Sequence, residues 1–304
     1  MEINKENWKV VLWGHKLHSH THSYIHNAFV RAFKHMGYQT FWFDNNDNVS
    51  NFDFKNSLFI TEGQVDKNIP IRDDCFYVLH NCTDKKYTQL REKNTSITLQ
   101  VYTDDVWKYN IPQIEACIHY DIPGRGLYMP WATDLLPHEI EVNKPQITFN
   151  KTSKKISWVG TVGGGEFGNI NEINNFKIAC AENNILFSQT GNISVAENTK
   201  LIRRSYMAPT IVGTWQHKVG YIPCRIFKNI SYGQFGLTNS IRVSELFQHK
   251  IVHNNDTYQL FYDAKSKLEN MQLSELHSLM DLVKEKHTYI NRINTILDFI
   301  EKLG

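Results

Sequence analysis

Five histidines fall within the fifteen residues from Trp13 to Asn27, "WGHKLHSHTHSYIHN". Imidazole is the side chain that changes charge near neutral pH, so such a run suits proton transfer, metal ligation or a polar loop. His18, His20 and His22 alternate, and in an extended loop alternate side chains share a side. Three neutral imidazoles so placed have the ligand type of a zinc site. No carboxylate or cysteine adjoins them in sequence as a further ligand, and the expectation is that no metal is bound. His26 lies one turn into the helix that follows, and His35 is expected at the surface.

Two further stretches have the residue types of an anion site. In "GTVGGGEFGN", from Gly160 to Asn169, glycines lie between a strand and a helix. Gly163, Gly164 and Gly165 would let the backbone approach a phosphate, and the helix N-terminus adds partial positive charge. The stretch lacks the Lys-Ser/Thr of a P-loop and the spacing of a dinucleotide fingerprint. The strand "ILFSQTG" carries no acidic residue for a ribose, which disfavours a redox dinucleotide. The second stretch, "QHKVGYIPCRIFKNISYGQFGLTNS", places Pro223 at the start of a helix whose first turns carry Arg225 and Lys228. A guanidinium beside free N–H groups suits a diphosphate, since it grips two oxygens at once. Ile222, Ile226 and Ile230 supply the apolar stripe of the same helix.

These stretches need elements to hold them. "WKVVLWG" reads as a buried strand, Ser23–Met36 as a helix capped by Thr21 or Ser23 and stopped by Gly37, and "QTFWFD" as a second strand. Strands are expected at 57–63, 75–81, 96–103, 116–121 and 125–134. The segment from Pro137 to Ser153 is polar and reads as a linker. A second strand–helix–strand unit begins at "KKISWVGTVGGG". Its helix buries Ile173, Phe176, Ile178 and Ala179. Strands at "QFGLTNS" and "KIVHN" and a helical tail over 269–302 complete the pattern. The expected fold is α/β, two Rossmann-like domains facing across a cleft, with ligands beyond the carboxyl ends of the strands. The expected division is 1–140, 141–285 and a terminal helix over 286–304.

Composition narrows the function classes. The 304 residues suit two domains. The net charge of +2 gives no general polyanion-binding signal, so nucleic acid is not an expected partner. No apolar run reaches the roughly 18 residues of a membrane helix, although peripheral membrane contact is compatible with the sequence. Five scattered cysteines without a CxxC pair fit a reducing cytoplasm rather than a disulfide framework.

From about 197 to 300 the chain resembles the spore-maturation-type glycosyltransferases, part of the metal-independent GT-B class that uses sugar nucleotides. The resemblance rests on "GYIPCRIFKNISYGQFGLTNS…ELF" and "KHTYINRINTILDFI", with Arg225, Phe227, Gly233, Thr238, Asn239, His287, Thr288, Tyr289 and Arg292 at the matching positions. It implies that Gly163, Gly164, Gly165 and Arg225 flank a donor diphosphate. It further implies that the stretch with Trp215 and Tyr221 flanks the base and ribose, and that Thr238 and Asn239 reach the sugar or phosphate. The position that in this class is usually a ribose-binding glutamate is Lys228, which cannot accept those hydrogen bonds. Either the nucleotide is held differently, or Lys228 adds to the diphosphate grip, or donor binding is lost.

In this architecture the histidine loop lies on the acceptor side, with His18, His80 and Asn81. If transfer inverts the anomeric centre, His20 or His22 would take the acceptor proton, with Asp104 or Asp105 as rivals. The expected activity is transfer of a sugar from a nucleotide-diphosphate donor to a glycan, lipid-linked or protein acceptor, without metal or other cofactor. The alternatives are a catalytically silent nucleotide-sugar or glycan binder, a metal-dependent hydrolase using the histidine loop, and an epimerase using Glu62, Asp104 and Glu166.

Overall fold

The computed structural model describes residues 2–20, 22–63, 65–82, 84–102 and 125–303, and the backbone of 120–122. The chain divides into two compact units. Unit 1 comprises the described residues of Met1–Val101, His119–Met129 and Tyr289–Gly304, and unit 2 those of Tyr102–Ile118 and Pro130–Thr288.

Unit 1 is built on a sheet of seven strands among the described residues, in the order β2-β1-β3-β4-β5-β7-β6. They are β1 (Lys9–Trp13), β2 (Gln39–Phe43), β3 (Ser57–Glu62), β4 (Phe76–His80), β5 (Ser96–Gln100), β6 (Tyr120–Ile122) and β7 (Gly126–Tyr128). All neighbours pair in parallel except β6 with β7. β3 and β4 are buried along their whole length, which explains their unbroken apolar runs. Helix α1 (Ser23–His35) buries Ile25, Ala28, Phe29, Ala32 and Phe33, recurring every three or four residues. It ends where Gly37 takes φ +88°. His22 rather than Ser23 holds the N-cap position, without a side-chain cap, and Thr21 lies outside the described residues. A short helix, α2 (Lys86–Glu92), stands between β4 and β5, and the final helix, Tyr289–Leu303, packs on α1 with Tyr289 edge-on to Phe29 at 4.7 Å.

The order of the first strands matters for function. From β1 the chain passes through α1 to β2 on one side, then crosses to β3 on the other side of β1. The direction of winding therefore reverses between β1 and β3, where parallel sheets of this kind leave a crevice beyond their carboxyl ends.

Unit 2 repeats this plan. β8 (Lys155–Val159) pairs in parallel with β9 (Leu186–Thr190) through the helix Ile170–Glu182. After the helix Val195–Arg203 the chain returns on the other side of β8 as an extended segment. There the Tyr206 N–H donates to Lys155 O at 2.8 Å, and Thr210 bridges to Thr238 of β10 (Leu237–Thr238). β10 pairs with β11 (Val252–His253). The winding again reverses beside the first strand.

Two sequence expectations change here. The stretch expected as a linker opens with a helix, Pro137–Asn143, because proline suits the first helical turn, the Glu139 carboxylate accepts the Leu136 N–H at 2.8 Å, and Ile140 is buried. Ile178 is exposed, whereas Cys180 joins Ile173, Phe176 and Ala179 on the buried face. No helix among the described residues is long and apolar enough to cross a membrane.

Candidate functional site

Each unit carries a group of chemically distinctive residues at its own winding reversal. In unit 1 these come from the carboxyl ends of β1, β3 and β4. Gly14 follows β1 with φ +94°, and a Cβ there would lie 2.8 Å from the Asp66 Cβ, so only glycine lets the chain turn against that carboxylate. The turn brings the His15 N–H to Asp66 Oδ2 at 2.7 Å and buries the His15 ring. His15 Nε2 meets Glu62 Oε2 at 2.6 Å across the reversal between β1 and β3. The other Glu62 oxygen accepts from Asn81 Nδ2 at 3.1 Å, so both oxygens of this carboxylate are held.

The remaining imidazoles gather on this dyad. His20 stacks on His15 at 4.4 Å between centroids, His22 lies nearly parallel to His20 at 5.4 Å, and His80 lies 5.6 Å from His22. His26 completes the cluster at 5.5 Å from His15, its Nδ1 donating to Gly14 O at 2.8 Å. His80 Nδ1 donates to Leu99 O at 3.1 Å, which makes Nε2 the unprotonated nitrogen of the neutral ring. Burial pushes His22 down to about 3 and His26 to about 4, and also lowers His20 and His80. These rings are therefore neutral at pH 7.

His20, His22, His80 and Asn81 thus come together as one cluster, and His18 does not. The loop is not extended: the Ser19 N–H donates to Lys16 O at 2.9 Å, and His18 takes φ +70°. Alternation consequently fails, and His18 points outward to the Tyr24 hydroxyl at 2.9 Å. His15, Glu62 and Asp66 take the places that sequence spacing could not assign. The available signal was positional, since His15 and Glu62 each stand at the carboxyl end of a strand. Asp104 and Asp105 lie outside the described residues.

In unit 2 the corresponding loop is made of glycine. It folds back so that Gly163 O accepts the N–H groups of Asn169 and Ile170, both at 2.9 Å. The Asn169 side chain donates to Ile211 O at 3.0 Å, tying the loop to the segment across the reversal. There Gly213 lies against Gly168 so closely that a Cβ would fall 1.8 Å from Gly168 O. Gly164 and Gly165 remain exposed.

Arg225, in the first turn of the helix Cys224–Ser231, reaches this loop. Its guanidinium lies over the Trp158 ring at 3.7 Å and donates to Val159 O at 2.7 Å. Burial lowers its pKa to about 10, which leaves it charged at neutral pH. Lys228 is placed differently. Its ammonium pairs with Asp134 at 2.8 Å, and Tyr232 donates to the same carboxylate at 2.5 Å. Burial opposes the Lys228 charge, but Asp134 outweighs it and raises the pKa.

Trp215 stands beside Phe167 and Tyr102, and Tyr221 also packs near Tyr102. An open cavity of about 310 Å³ is lined by Gly165, Gly168, Asn171, Trp215 and Lys218, but not by Arg225. The Asn239 side chain exchanges two hydrogen bonds with the Val212 backbone, each 2.9 Å, and the Thr238 hydroxyl accepts the Ser240 N–H at 3.1 Å. In this structure both hold the strand end next to Gly213. His287 stacks on Phe227 at 4.7 Å, and Arg292 is buried in unit 1.

No protein-family model matches the chain, and no curated protein sequence does. Solved structures do match. An α-glucosyltransferase in complex with UDP and a 13-mer DNA containing a HMU base is similar with a TM-score of 0.61 and 9% identity, over 97% of this chain and 99% of that one. The DNA-modifying enzyme β-glucosyltransferase is similar with a TM-score of 0.51 and 12% identity, over 97% and 99%. A glycosyltransferase from Rickettsia africae matches with a TM-score of 0.51 and 10% identity, over 98% of each chain. The fold is α/β, of the GT-B type found in the two glucosyltransferases.

Proposed function

We propose that this chain is a glycosyltransferase that moves a sugar from a nucleotide-diphosphate donor, UDP-linked in the first instance, to a hydroxyl of a glycan or glycoconjugate. One observation carries the reading: Arg225 is pressed against the glycine turn at the reversal of unit 2. The leaving diphosphate would meet a preorganised guanidinium, exposed glycine backbone and a helix N-terminus, which together stabilise developing negative charge. The matched solved structures support the donor class, since one holds UDP and another was solved with uridine diphosphoglucose. Membership of the spore-maturation-type family within this class is part of the proposal.

Lys228 does not add to the diphosphate grip, because Asp134 already engages it and Tyr232 holds the same carboxylate. The nucleotide is instead held by Arg225, with Trp215 and Tyr221 beside the base and ribose. Thr238 and Asn239 act from behind, holding the backbone around Gly213. The unit 1 cluster receives the acceptor, and for inverting transfer His20 or His22 takes its proton. His80 and Asn81 position the cluster, and His18 stands at its rim.

The test is thermal unfolding with UDP, GDP, CDP, TDP and ADP, with and without EDTA, on the wild type and Arg225→Ala. Stabilisation by UDP that survives EDTA and vanishes in the variant is the expected result. No shift with any nucleotide defeats the reading. Turnover is then read as UDP release from UDP-glucose with glycan acceptors and, in parallel, duplex DNA bearing a HMU base. The near-zero net charge offers no broad phosphate-binding surface, so glycans are the expected acceptors. UDP binding without release on any acceptor would mark a silent binder.

A further inference from the structure

The unit 1 cluster holds more nitrogen donors than an acceptor base needs. We propose that His15, His20 and His22 form a binding site for one divalent transition-metal ion of the zinc class. One ring nitrogen from each lies within 4.8 Å of the other two. In a tetrahedral zinc site ligand nitrogens stand roughly 3.3 Å apart, given Zn–N bonds of about 2.0–2.1 Å. Small ring rotations therefore close the set around an ion and leave a fourth position for water or an acceptor oxygen.

The surroundings fit a cation. Glu62 holds His15 Nε2 at 2.6 Å, which assigns ligation to Nδ1. That Nδ1 is buried and makes no hydrogen bond to any described residue, and Asp66 Oδ2 stands 3.9 Å away. A carboxylate on the far nitrogen of a ligating imidazole is the usual way such a ring is oriented and made more basic. Asn81 fixes the second Glu62 oxygen, so this support is rigid. His20 Nδ1 accepts the His22 N–H at 3.2 Å, a long bond that ligation can replace. Lys16, the nearest lysine in sequence, is turned away to Trp42 O at 2.6 Å and Asp47 at 3.2 Å. Among the described residues, Glu62 and Asp66 thus face the imidazoles and Lys16 does not.

The site stands on unit 1 alone and does not rest on the transferase reading. Ligation would use the lone pairs that otherwise make His20 and His22 bases. In the loaded protein an acceptor oxygen would then meet the ion rather than an imidazole.

The test uses untagged full-length chain, stripped with chelator, desalted and titrated with ZnCl₂ in the absence of nucleotide. Calorimetry gives stoichiometry, and Co²⁺ substitution gives a visible band diagnostic of a low-coordinate site. One ion per chain is expected. Because His15 is buried, the ligand variants are placed on the partly exposed loop, and buried Glu62 is changed only to the isosteric amide. His20→Ala and His22→Ala should each weaken zinc at least about 100-fold, and Glu62→Gln by about 10–100-fold, as for supporting carboxylates elsewhere. His18→Ala should leave zinc affinity unchanged, and far-UV circular dichroism checks that each variant is folded. Zero stoichiometry, or wild-type affinity in folded His20→Ala, overturns the proposal. UDP binding is scored separately through Arg225. UDP binding without zinc defeats the cation site alone, and zinc binding without UDP defeats the transferase reading alone.

Discussion

The loop after β1 and the loop after β8 occupy the same place in two units of one plan, and opposite chemistries fill them. Each follows its unit's first strand, each lies where the winding reverses, and each is pinned to the segment across that reversal. In unit 1 the pin is the contact between His15 and Glu62. In unit 2 it is Asn169 on Ile211 and Gly213 on Gly168. The first loop presents imidazoles against carboxylates from β3 and the segment after it, and the second presents bare backbone beside a guanidinium. The fold therefore sets where a ligand can sit, and the loop residues set its charge.

The largest effect should come from the charge that unit 2 keeps away from its loop. Lys228→Ala takes the ammonium away from the buried Asp134 carboxylate, and losing one partner of a buried ion pair costs about 3–5 kcal/mol. The side chain of Lys228 is 14% exposed, so the low end is expected. Urea unfolding measures it. A cost near zero would mean that the pair is not formed and that Lys228 is free for a diphosphate after all.

Arg225→Ala should come next, seen in binding rather than in stability. A charge-assisted hydrogen bond contributes about 1.5–3 kcal/mol, so UDP affinity should fall about 100-fold. Arg225→Lys should recover only part of this, because an ammonium cannot grip two oxygens in one plane. Equal UDP affinity in all three proteins would erase the proposed contrast between the loops.

Gly213→Ala tests whether close backbone approach is what shapes the unit 2 loop. The added methyl meets Gly168 O at 1.8 Å, and overpacking of this kind costs about 1–3 kcal/mol. Gly14→Ala is the matched change in unit 1, where φ is +94° and Asp66 is in the way. A tolerated methyl at Gly213 would show that the loop can open without the contact.

The two loops also differed in how far they could be read from sequence. The glycine loop and Arg225 were legible because strand, glycines and helix follow in order, and the amphipathic helix fixes which way Arg225 points. The histidine loop was legible only as a concentration of imidazoles. His18, His20 and His22 alternate in sequence, but a turn at Lys16–Ser19 breaks the alternation, and turns of this kind leave no periodic signal. Glu62 and Asp66 stand more than forty residues from His15, so their approach depends on strand order, which no local spacing encodes. Pro137 was misread for a related reason: proline both breaks a helix and begins one, and the capping Glu139 decides which.

The smallest expected effect is a slope in stability against pH, and it separates the loops by their titration. His26 is held at about 4 by burial, against 6.5 for the free side chain. Between these values the unfolded chain takes up a proton that the folded chain refuses. Its contribution is therefore fully present above pH 6.5 and is lost as the pH falls towards 4, at up to about 1.4 kcal/mol per pH unit. His26→Asn keeps a donor near Gly14 O without a titrating group, and should lessen the slope in that window, to which the other buried imidazoles also contribute. Unfolding in urea at half-unit steps from pH 4 to 7, on protein stripped of metal, measures the slope. Arg225, beside the unit 2 loop, is lowered only to about 10, so its substitution should leave this window unaltered. If His26→Asn left the slope unchanged, the acid sensitivity would belong to other groups, and the imidazole cluster would be more hydrated than its packing indicates.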